Sequence, residues 1–366
     1  TIGGGTAFTT LPSRNMGVSG RTSYNYDSRF FAEFNFGYNG SEKFAKENRF
    51  GFFPSAGFGW IVSNEAFFEK NLPSVNLFKL RYTYGLVGND GISSADDRFF
   101  YLSEVNLNNG GTGYNWGINY NNYYNGYNVD RYDNASVTWE VAEKANYGLE
   151  LGLFNKITLL AEYFEEHRKN IYMERQYIPE TMGLTTSINS NVGEVKAKGV
   201  DISLDYNHAF SGDFYITARG NFTYSTNEIL VNGEPEYQNQ NLSRIGQPIN
   251  QQWGYIAERL FIDEEDIANS PEQFNGFGST NTYLPGDIKY KDVNEDGVIN
   301  QLDQAPIGKP YVPEIVYGFG FSAGYIVSSN GITVGTTITS IVGNQDNLNT
   351  TLDTNVSSID VTIMQS

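Results

Sequence analysis

The 366-residue sequence contains no cysteine and only two histidines. The lack of cysteine excludes disulfide bonds, zinc–thiolate sites and cysteine nucleophiles, and two histidines cannot build a histidine-rich metal centre. Basic residues are also few, with 24 lysines and arginines against 42 aspartates and glutamates and a net charge of −18. This balance argues against nucleic-acid binding, which requires a surplus of basic residues on some face of the protein.

Long apolar runs are missing as well. No stretch of 18 or more consecutive apolar residues occurs, so the sequence predicts no transmembrane helix. Charged residues make up 18% of the chain, below the roughly 25% of typical soluble domains, while aromatic residues reach 15%. The mean hydropathy is nevertheless −0.42. A polar average combined with many aromatic residues is typical of an outer-membrane β-barrel and unusual for a soluble α/β enzyme.

Period-two alternation is the main structural signal. Over residues 24–38, every second residue is mainly aromatic and the residues between are mainly polar, which predicts one fifteen-residue strand of roughly 50 Å. The alternation predicts lipid-facing positions at Phe34, Tyr206 and Ile216 and lumen-facing positions at Asn35, Asp205 and Thr217. Shorter segments with the same alternation are residues 78–86, 157–163, 200–210, 214–224 and 317–325.

The connections between these segments alternate in length. Short turns are expected at 154–156 and 211–213, and long loops at 87–136, 165–191 and 226–312. This sorting predicts an all-β fold, a transmembrane antiparallel β-barrel with long extracellular loops and short periplasmic turns. A soluble β-sandwich is the alternative. Residues 1–325 form the predicted barrel portion, and residues 326–366, which contain no aromatic residue, stay unassigned, with further strands as one interpretation.

Five short stretches of the sequence are informative when they are taken in order. They are Arg49–Ser55 with Gly59-Trp60, Leu77–Gly85 with Gly88-Asn89, Thr138–Glu140 with Asn146–Leu149, Asn191–Val195 with Lys198–Val200, and Pro285–Tyr290 running into Asp292–Gly297. In this order they resemble one family, the SusC/RagA-type TonB-dependent transporters of Bacteroidota outer membranes. The resemblance covers roughly residues 15–325.

The resemblance implies a portion of a 22-stranded barrel that is filled by an N-terminal plug domain, although no plug is recognisable in this chain. It also implies a SusD-like surface lipoprotein as a lid, and TonB-driven import of oligosaccharides or peptides. One alternative function is a transporter-like barrel that serves as a structural subunit of a larger outer-membrane machine. A second is a secreted, calcium-dependent, β-rich binding protein.

The segment 292–303 matches a calcium-binding loop. Oxygen ligands are expected at alternating positions, with a carbonyl at the seventh position, an apolar residue at the eighth and a carboxylate at the twelfth, and Gly297 allows the sharp turn. A calcium ion held here would be structural. The alternative is a turn rich in Asx and Gly that binds no metal. The expected ligands are Asp292, Asn294, Asp296, Val298, Asn300 and Asp303.

A second candidate site is rich in aromatic residues and asparagine. Aromatic faces beside amide groups suit stacking on sugars and hydrogen bonding to hydroxyl groups, and the alternative is packing of the loop on itself. Catalytic motifs are missing: the sequence has no GxSxG, no HExxH and no P-loop, so we expect no enzymatic activity. The candidate substrate-binding residues are Tyr114, Trp116, Tyr120, Tyr123 and Tyr124.

Overall fold

The computed structural model describes residues 12, 14–93, 98–210, 214–273, 283–327, 332–344 and 362–364. Strands dominate, and no helix in these ranges is long and apolar enough to cross a membrane. The strands are β1 (Asn15–Tyr26), β2 (Phe30–Ser41), β3 (Phe50–Ile61), β4 (Val75–Asn89), β5 (Glu104–Trp116), β6 (Asn122–Arg131), β7 (Glu140–Leu153), β8 (Ile157–Glu174), β9 (Asn189–Phe210), β10 (Phe214–Val231), β11 (Gln252–Gly254), β12 (Ala257–Leu260), β13 (Glu272–Gln273), β14 (Ile288–Tyr290), β15 (Val298–Ile299), β16 (Ala305–Ile307), β17 (Ile315–Val327), β18 (Ile332–Asn344) and β19 (Thr362–Met364).

Eleven of these strands form one sheet, in the order β1-β2-β3-β4-β7-β8-β9-β10-β17-β18-β19. Every neighbouring pair in this sheet is antiparallel. The small elements are the helices α1 (Ala66–Asn71) and α2 (Glu264–Ala268) and four 3-10 turns, at Val62–Asn64, Glu180–Met182, Gln240–Leu242 and Gln301–Asp303. Strands β18 and β19 lie in the tail that the sequence leaves unassigned, and they extend the sheet.

The prediction of one long strand over residues 24–38 is wrong. The chain reverses between β1 and β2, where Asp27 and Ser28 both adopt left-handed backbone conformations with φ of 51°. Tyr26 pairs with Phe30 across this tight hairpin, so residues of the same parity face each other in the two strands. The aromatic positions therefore stay on one face through the turn, and the alternation continues across the reversal without a break.

The other predicted strands are present and most are longer than predicted. β8 continues to Glu174 and β9 begins at Asn189, so the connection between them is residues 175–188 and not 165–191. The predicted loop 87–136 begins only after Asn89 and contains the β5–β6 hairpin. The outer parts of these strands are polar, so the sequence predicts loops there. Strands that extend beyond the apolar belt need not stay apolar.

One face of the sheet is apolar from strand to strand. A row of residues crosses five adjacent strands through the direct pairs Tyr82–Tyr147, Tyr147–Tyr163, Tyr163–Val200 and Val200–Tyr224. The rings of Tyr82 and Tyr147 lie 4.8 Å apart between centroids. Large side chains on this face remain exposed, including Phe34 (47%), Phe58 (52%), Leu204 (45%) and Phe319 (49%). So large an exposed apolar surface requires an apolar environment.

The opposite face is polar and charged. The predicted pairs separate as expected: Asn35 and Asp205 lie on this face, next in sequence to Phe34 and Tyr206 on the apolar face. Asp205 accepts a 2.6 Å hydrogen bond from Arg219 on the neighbouring strand. A charged pair of this kind is compatible with a hydrated lumen and not with lipid contact.

The two ends of the sheet differ in their connections. We call the end with the long segments 42–49, 90–139, 175–188 and 232–314 the long-loop rim, and the other end the short-turn rim. The short-turn rim carries the turns 27–29 and 154–156 and the segment 62–74, which contains α1. The expected turn 211–213 lies outside the described residues, but its flanking residues Phe210 and Phe214 pair with each other. Connections are thus sorted by length with one exception, since the segment 62–74 on the short-turn rim is longer than the segment 42–49 on the long-loop rim.

Candidate functional site at the long-loop rim

A small hydrophobic core lies at the long-loop rim. It is built from the buried residues Phe44, Phe100, Val137 and Trp139. The Trp139 ring contacts Phe44 at 5.4 Å and Phe53 at 5.2 Å between centroids. These residues come from three different chain segments, so the core fixes two of the rim loops onto the end of the sheet.

Hydrogen bonds surround this core. The Trp139 indole N–H donates to the Arg49 carbonyl oxygen at 3.1 Å. Asn191 accepts from the Thr138 backbone N–H at 2.9 Å and donates to the carbonyl oxygens of Thr138 at 3.0 Å and Asn170 at 2.8 Å. Because one side chain forms hydrogen bonds with three backbone groups, it stabilises the position of the chain at the end of the loop 90–139.

Four of the five family-like stretches meet at this core. Phe53 comes from the first stretch, Asn89 from the second, Trp139 and Glu140 from the third, and Asn191 from the fourth. Asn89 donates to the Glu140 carboxylate at 2.7 Å. The stretches therefore share a structural task, the anchoring of the rim loops. The sequence contains one indication of this shared task, since each of the four stretches reaches or lies near the end of its strand at the long-loop rim.

Two arginines anchor the base of the loop 90–139. Arg98 is 9% exposed and forms an ion pair with Glu42. Arg131 donates to the Arg98 carbonyl oxygen at 3.0 Å, and its guanidinium lies 5.5 Å from the centroid of the Phe100 ring. The hairpin β5–β6, which ends at Arg131, therefore rises from a fixed base.

The aromatic candidate residues lie on this hairpin, which we call the arm. Tyr114 pairs with Tyr124 across the two strands, and the Tyr114 and Trp116 rings meet edge-to-face at 5.8 Å. The structure brings these three together on one side of the arm, while Tyr123 lies on the other side, opposite Asn115. Tyr120, in the turn, has a left-handed backbone with φ of 52°. All five aromatic side chains are at least half exposed.

The predicted calcium loop is a hydrogen-bonded turn. Asp303 is fully buried, and its carboxylate accepts from the backbone N–H groups of Val293 at 2.9 Å and Asn300 at 2.8 Å. Asp292 accepts from the Gly297 N–H at 2.8 Å through one oxygen, whereas its other oxygen, Oδ1, is buried with no hydrogen-bond partner. Within the described ranges, no group of three or more His, Cys, Asp or Glu side chains is arranged to hold a metal ion. The calcium site remains a prediction.

The rest of the 232–314 segment folds around three two-stranded sheets, β11–β16, β12–β14 and β13–β15. A charged cluster joins β12, α2 and β14: Arg259 donates to Asp266 at 2.7 Å, Lys289 lies 3.3 Å from the same carboxylate, and the Ile262 N–H donates to it at 3.1 Å. These hydrogen bonds, that from Arg259 foremost, hold the pKa of Asp266 well below its usual range. Phe261 is buried beside this cluster.

Charged side chains on the polar face of the sheet form cross-strand pairs that the sequence reading did not identify. Lys79 lies 2.9 Å from Glu150, and Arg81 contacts Glu162. Near β1–β4 the same face holds a depression of about 730 Å³, lined by Arg21, Glu33, Ser55, Gly57, Arg81 and Thr83 among others. The sequence does contain an indication of these charged pairs, because the charged residues occupy the alternate positions of strands whose other positions are apolar.

Neither histidine lies in a catalytic arrangement. The His167 ring nitrogen Nε2 lies 3.0 Å from Glu194, on the apolar-face side of β8 and β9 but beyond the tyrosine row. The His208 ring meets Phe210 edge-to-face at 4.0 Å. Both positions fit a strand surface and provide no paired nucleophile.

Comparisons with known proteins point in one direction, although no protein-family model matches the chain. TonB-dependent receptor P3 of Formosa agariphila is 25% identical over 317 residues, covering 83% of this chain and 30% of the relative. TonB-dependent receptor SusC of Bacteroides thetaiotaomicron is 30% identical over 227 residues, covering 60% of this chain and 21% of the relative. This chain is similar to the SusC/RagA-like TonB-dependent receptors.

Solved structures show the same fold. The RagAB peptide importer in its closed-closed state matches this SusC/RagA-like chain with a TM-score of 0.63 and 21% identity, over 89% of this chain and 33% of that one. The chain spans about a third or less of the length of the relatives it matches. It is an integral outer-membrane protein of the β-barrel class, so the apolar face of its sheet contacts lipid.

Proposed function

We propose that this chain forms part of the barrel of a TonB-dependent importer that carries oligosaccharides or peptides across the outer membrane. The observation that carries the proposal is the two-faced sheet. Its apolar face runs without interruption from strand to strand, while its other face bears charged pairs such as Lys79–Glu150. A barrel with this polarity offers a hydrophilic solute a polar wall through the bilayer.

The polar wall suits solutes of mixed chemistry. Its charges pair with one another, as in Arg219 with Asp205 and Lys144 with Glu166 at 3.0 Å. Paired charges create a weaker long-range field than a surface of one sign, so the wall would not trap a solute by charge alone. This property agrees with an importer of oligosaccharides or peptides and gives no support to an enzymatic role.

We assign the long-loop rim to the extracellular side and the short-turn rim to the periplasm. The support is the sorting of connections by length, which is the usual asymmetry of outer-membrane barrels. On this assignment, the core around Trp139 lies at the cell surface. There it holds the loops that a substrate and a lid protein would meet first.

The partner in this proposal is a SusD-like surface lipoprotein. The segment 232–314 presents exposed apolar side chains at the long-loop rim, with Leu260 at 56%, Ile262 at 73% and Leu284 at 65%. Leu260 and Ile288 are paired across β12 and β14, so they share a face. An exposed apolar group rimmed by charged residues is typical of a protein interface.

Calcium is the proposed structural ion of the same segment. Its support is the oxygen-rich spacing of residues 292–303 and the orphaned, buried Oδ1 atom of Asp292. The ligands would be Asp292, Asn294, Asp296, Asn300, Asp303 and the Val298 carbonyl oxygen. Carboxylate, amide and carbonyl oxygens are the ligand types that calcium prefers.

Uptake in cells tests the proposed function. The receptor that contains this chain would be deleted from its host, and consumption of oligosaccharide and peptide mixtures would be measured with and without a working TonB system. We expect loss of one class of nutrient both on receptor deletion and on TonB inactivation. If deletion leaves uptake intact but disrupts a larger outer-membrane assembly, the alternative role as a structural subunit is correct.

A further inference from the structure

The arm differs in composition from the rest of the chain. Residues 105–129 contain nine asparagines, five glycines, five tyrosines and one tryptophan, and not one lysine, arginine, aspartate or glutamate. The segment 232–314 of the same rim contains fourteen acidic and five basic residues. An uncharged stretch of 25 residues at an acidic rim needs a physical reason, since exposed charges keep a surface soluble.

The two sides of the arm are not equivalent. On one side, Tyr123 donates its hydroxyl to the Gly110 carbonyl oxygen and lies so close to Gly113 that a Cβ atom there would overlap its ring. On the other side, Tyr114 is 63%, Trp116 61% and Tyr124 63% exposed. We call this second, more exposed side the open side.

The polar groups of the open side are available to a ligand. Within the described part of the chain, the hydroxyl groups of Tyr114 and Tyr124 and the indole N–H of Trp116 form no hydrogen bonds, in contrast to the hydroxyl of Tyr123. Asn122 pairs with Trp116 across the strands and is exposed beside it. Ring faces, hydroxyl groups and an amide are therefore offered together on one surface.

The arm holds this surface in a defined shape. Asn109 accepts from the backbone N–H groups of Gly111 at 2.7 Å and Thr112 at 3.2 Å, which fixes the bulge in β5. The Thr112 hydroxyl donates to the Tyr127 carbonyl oxygen at 2.8 Å, and Asn125 donates to Asn108 at 2.8 Å. A surface that is already ordered loses less conformational entropy when a ligand binds.

We propose that the open side of the arm, formed by Tyr114, Trp116, Tyr124 and Asn122, is a capture site for neutral oligosaccharides. A pyranose ring has C–H groups that pack on aromatic faces and hydroxyl groups that both donate to and accept from amides and phenols. The arm provides these partners and no charge. This inference rests on the proposed import function and selects its substrate class.

Charge decides against acidic glycans and peptides as the occupants. A polyanionic glycan gains no ion pair on the arm, and the net negative charge of segment 232–314 on the same rim does not attract it. A peptide with charged side chains and termini likewise finds no partner among residues 105–129. Neutral sugars lose nothing by the lack of charge.

Binding measurements on the intact purified receptor test the site. The probes are cellohexaose, xylohexaose, mannohexaose and maltohexaose as neutral glycans, hexagalacturonate as an acidic glycan, and a tryptic peptide mixture. The variant combines Tyr114→Ala, Trp116→Ala and Tyr124→Ala. Tyr311→Ala is the matched control, because Tyr311 is 78% exposed on a different rim segment.

We expect at least one neutral hexasaccharide to bind, with affinity at least tenfold weaker in the triple variant and within twofold of wild type in the control. A single Trp116→Phe change should restore part of the loss seen with Trp116→Ala. The inference is overturned if no neutral hexasaccharide binds, if such binding ignores the arm, or if only hexagalacturonate or peptide binding depends on it. TonB-dependent uptake that persists in those cases leaves the proposed function standing.

Discussion

The indole N–H of Trp139 donates a hydrogen bond to the carbonyl oxygen of Arg49, 90 residues earlier in the chain. The bond joins the end of the loop 90–139 to the start of β3. Since the Trp139 side chain is 7% exposed, both the bond and the ring packing are shielded from water. One side chain thus fixes the position at which a 50-residue loop returns to the sheet.

Replacing Trp139 by alanine should destabilise the long-loop rim strongly. The change empties the space between Phe44 and Phe53 and removes one of the two hydrogen bonds that the Arg49 carbonyl oxygen accepts, the other coming from the Ser41 N–H. We expect a loss of about 3–5 kcal/mol in the free energy of unfolding. Denaturant titration followed by heat-modifiable gel migration measures it.

Trp116→Ala is the matched control for that experiment. Trp116 is 61% exposed on the arm, so its removal should change the free energy of unfolding by less than about 0.5 kcal/mol. Equal effects of the two substitutions would contradict the description of the rim core.

Neighbouring residues on β9 test the two faces of the sheet. Leu204 lies on the apolar face and is 45% exposed, while Ser203 lies on the polar face. Leu204→Lys should lower stability by about 2–4 kcal/mol, because the ammonium group would have to enter hydrocarbon. Ser203→Lys should be tolerated. The yield of heat-resistant folded protein in outer membranes measures both, and the reverse order of effects would invert the assignment of the faces.

The cluster around Asp266 should be sensitive to acid. Its hydrogen bonds, chiefly with Arg259, keep the pKa of this carboxyl lower in the folded state than in the unfolded chain. The stabilisation is therefore complete above the unfolded value of about 3.9, and it is lost as the pH falls below that value toward the folded pKa. Protease cleavage within 255–290 should rise as the pH is lowered from 5 to about 2.

Asp266→Asn is the variant that checks this cause. It should raise cleavage at neutral pH and remove most of the further rise in acid, because the carboxyl that pairs with Arg259 and Lys289 is gone. Glu258→Gln, on the exposed surface of the same β12 strand, should behave as wild type. A variant that keeps the full acid response would assign the effect to another group.

Calcium should protect the segment 283–314 if the ion binds there. The double variant Asp292→Ala and Asp296→Ala should lose one calcium site per chain in calorimetric titration. In the presence of calcium, residues 283–314 of this variant should be cleaved as fast as the same residues of the wild type are in the presence of a chelator. Glu258→Ala serves as the control. Unchanged cleavage of the wild type on chelation, with no calcium uptake, would mean that the segment is only a turn.

The sequence predicted the faces of the sheet better than its turns. Alternation depends on burial on one side of each strand, so it placed Phe34, Tyr206 and Ile216 correctly relative to their polar neighbours. It could not reveal the reversal at Asp27 and Ser28, since the pairing of Tyr26 with Phe30 preserves parity. A hairpin of that geometry is invisible to a period-two pattern.

The rim core was beyond the reach of a local pattern. Its residues are far apart in sequence, as Phe53, Trp139 and Asn191 show. Their contacts form only when the paired strands bring these chain segments together at one end of the sheet. The family-like stretches identified these residues but not their common location. The arm was identified as aromatic from its composition, whereas the difference between its two sides depends on the pairing of Tyr114 with Tyr124.

The sidedness of the two rims is the most direct test of the account, and the natural lack of cysteine makes it simple. Single cysteines would replace Ile118, which is fully exposed on the arm, Tyr311 in the segment 232–314, and Lys156 in the short turn after β7. Intact cells would be treated with a membrane-impermeant maleimide. We predict labelling at positions 118 and 311 and none at 156 until the outer membrane is permeabilised. Labelling of position 156 on intact cells, with positions 118 and 311 protected, would contradict the account.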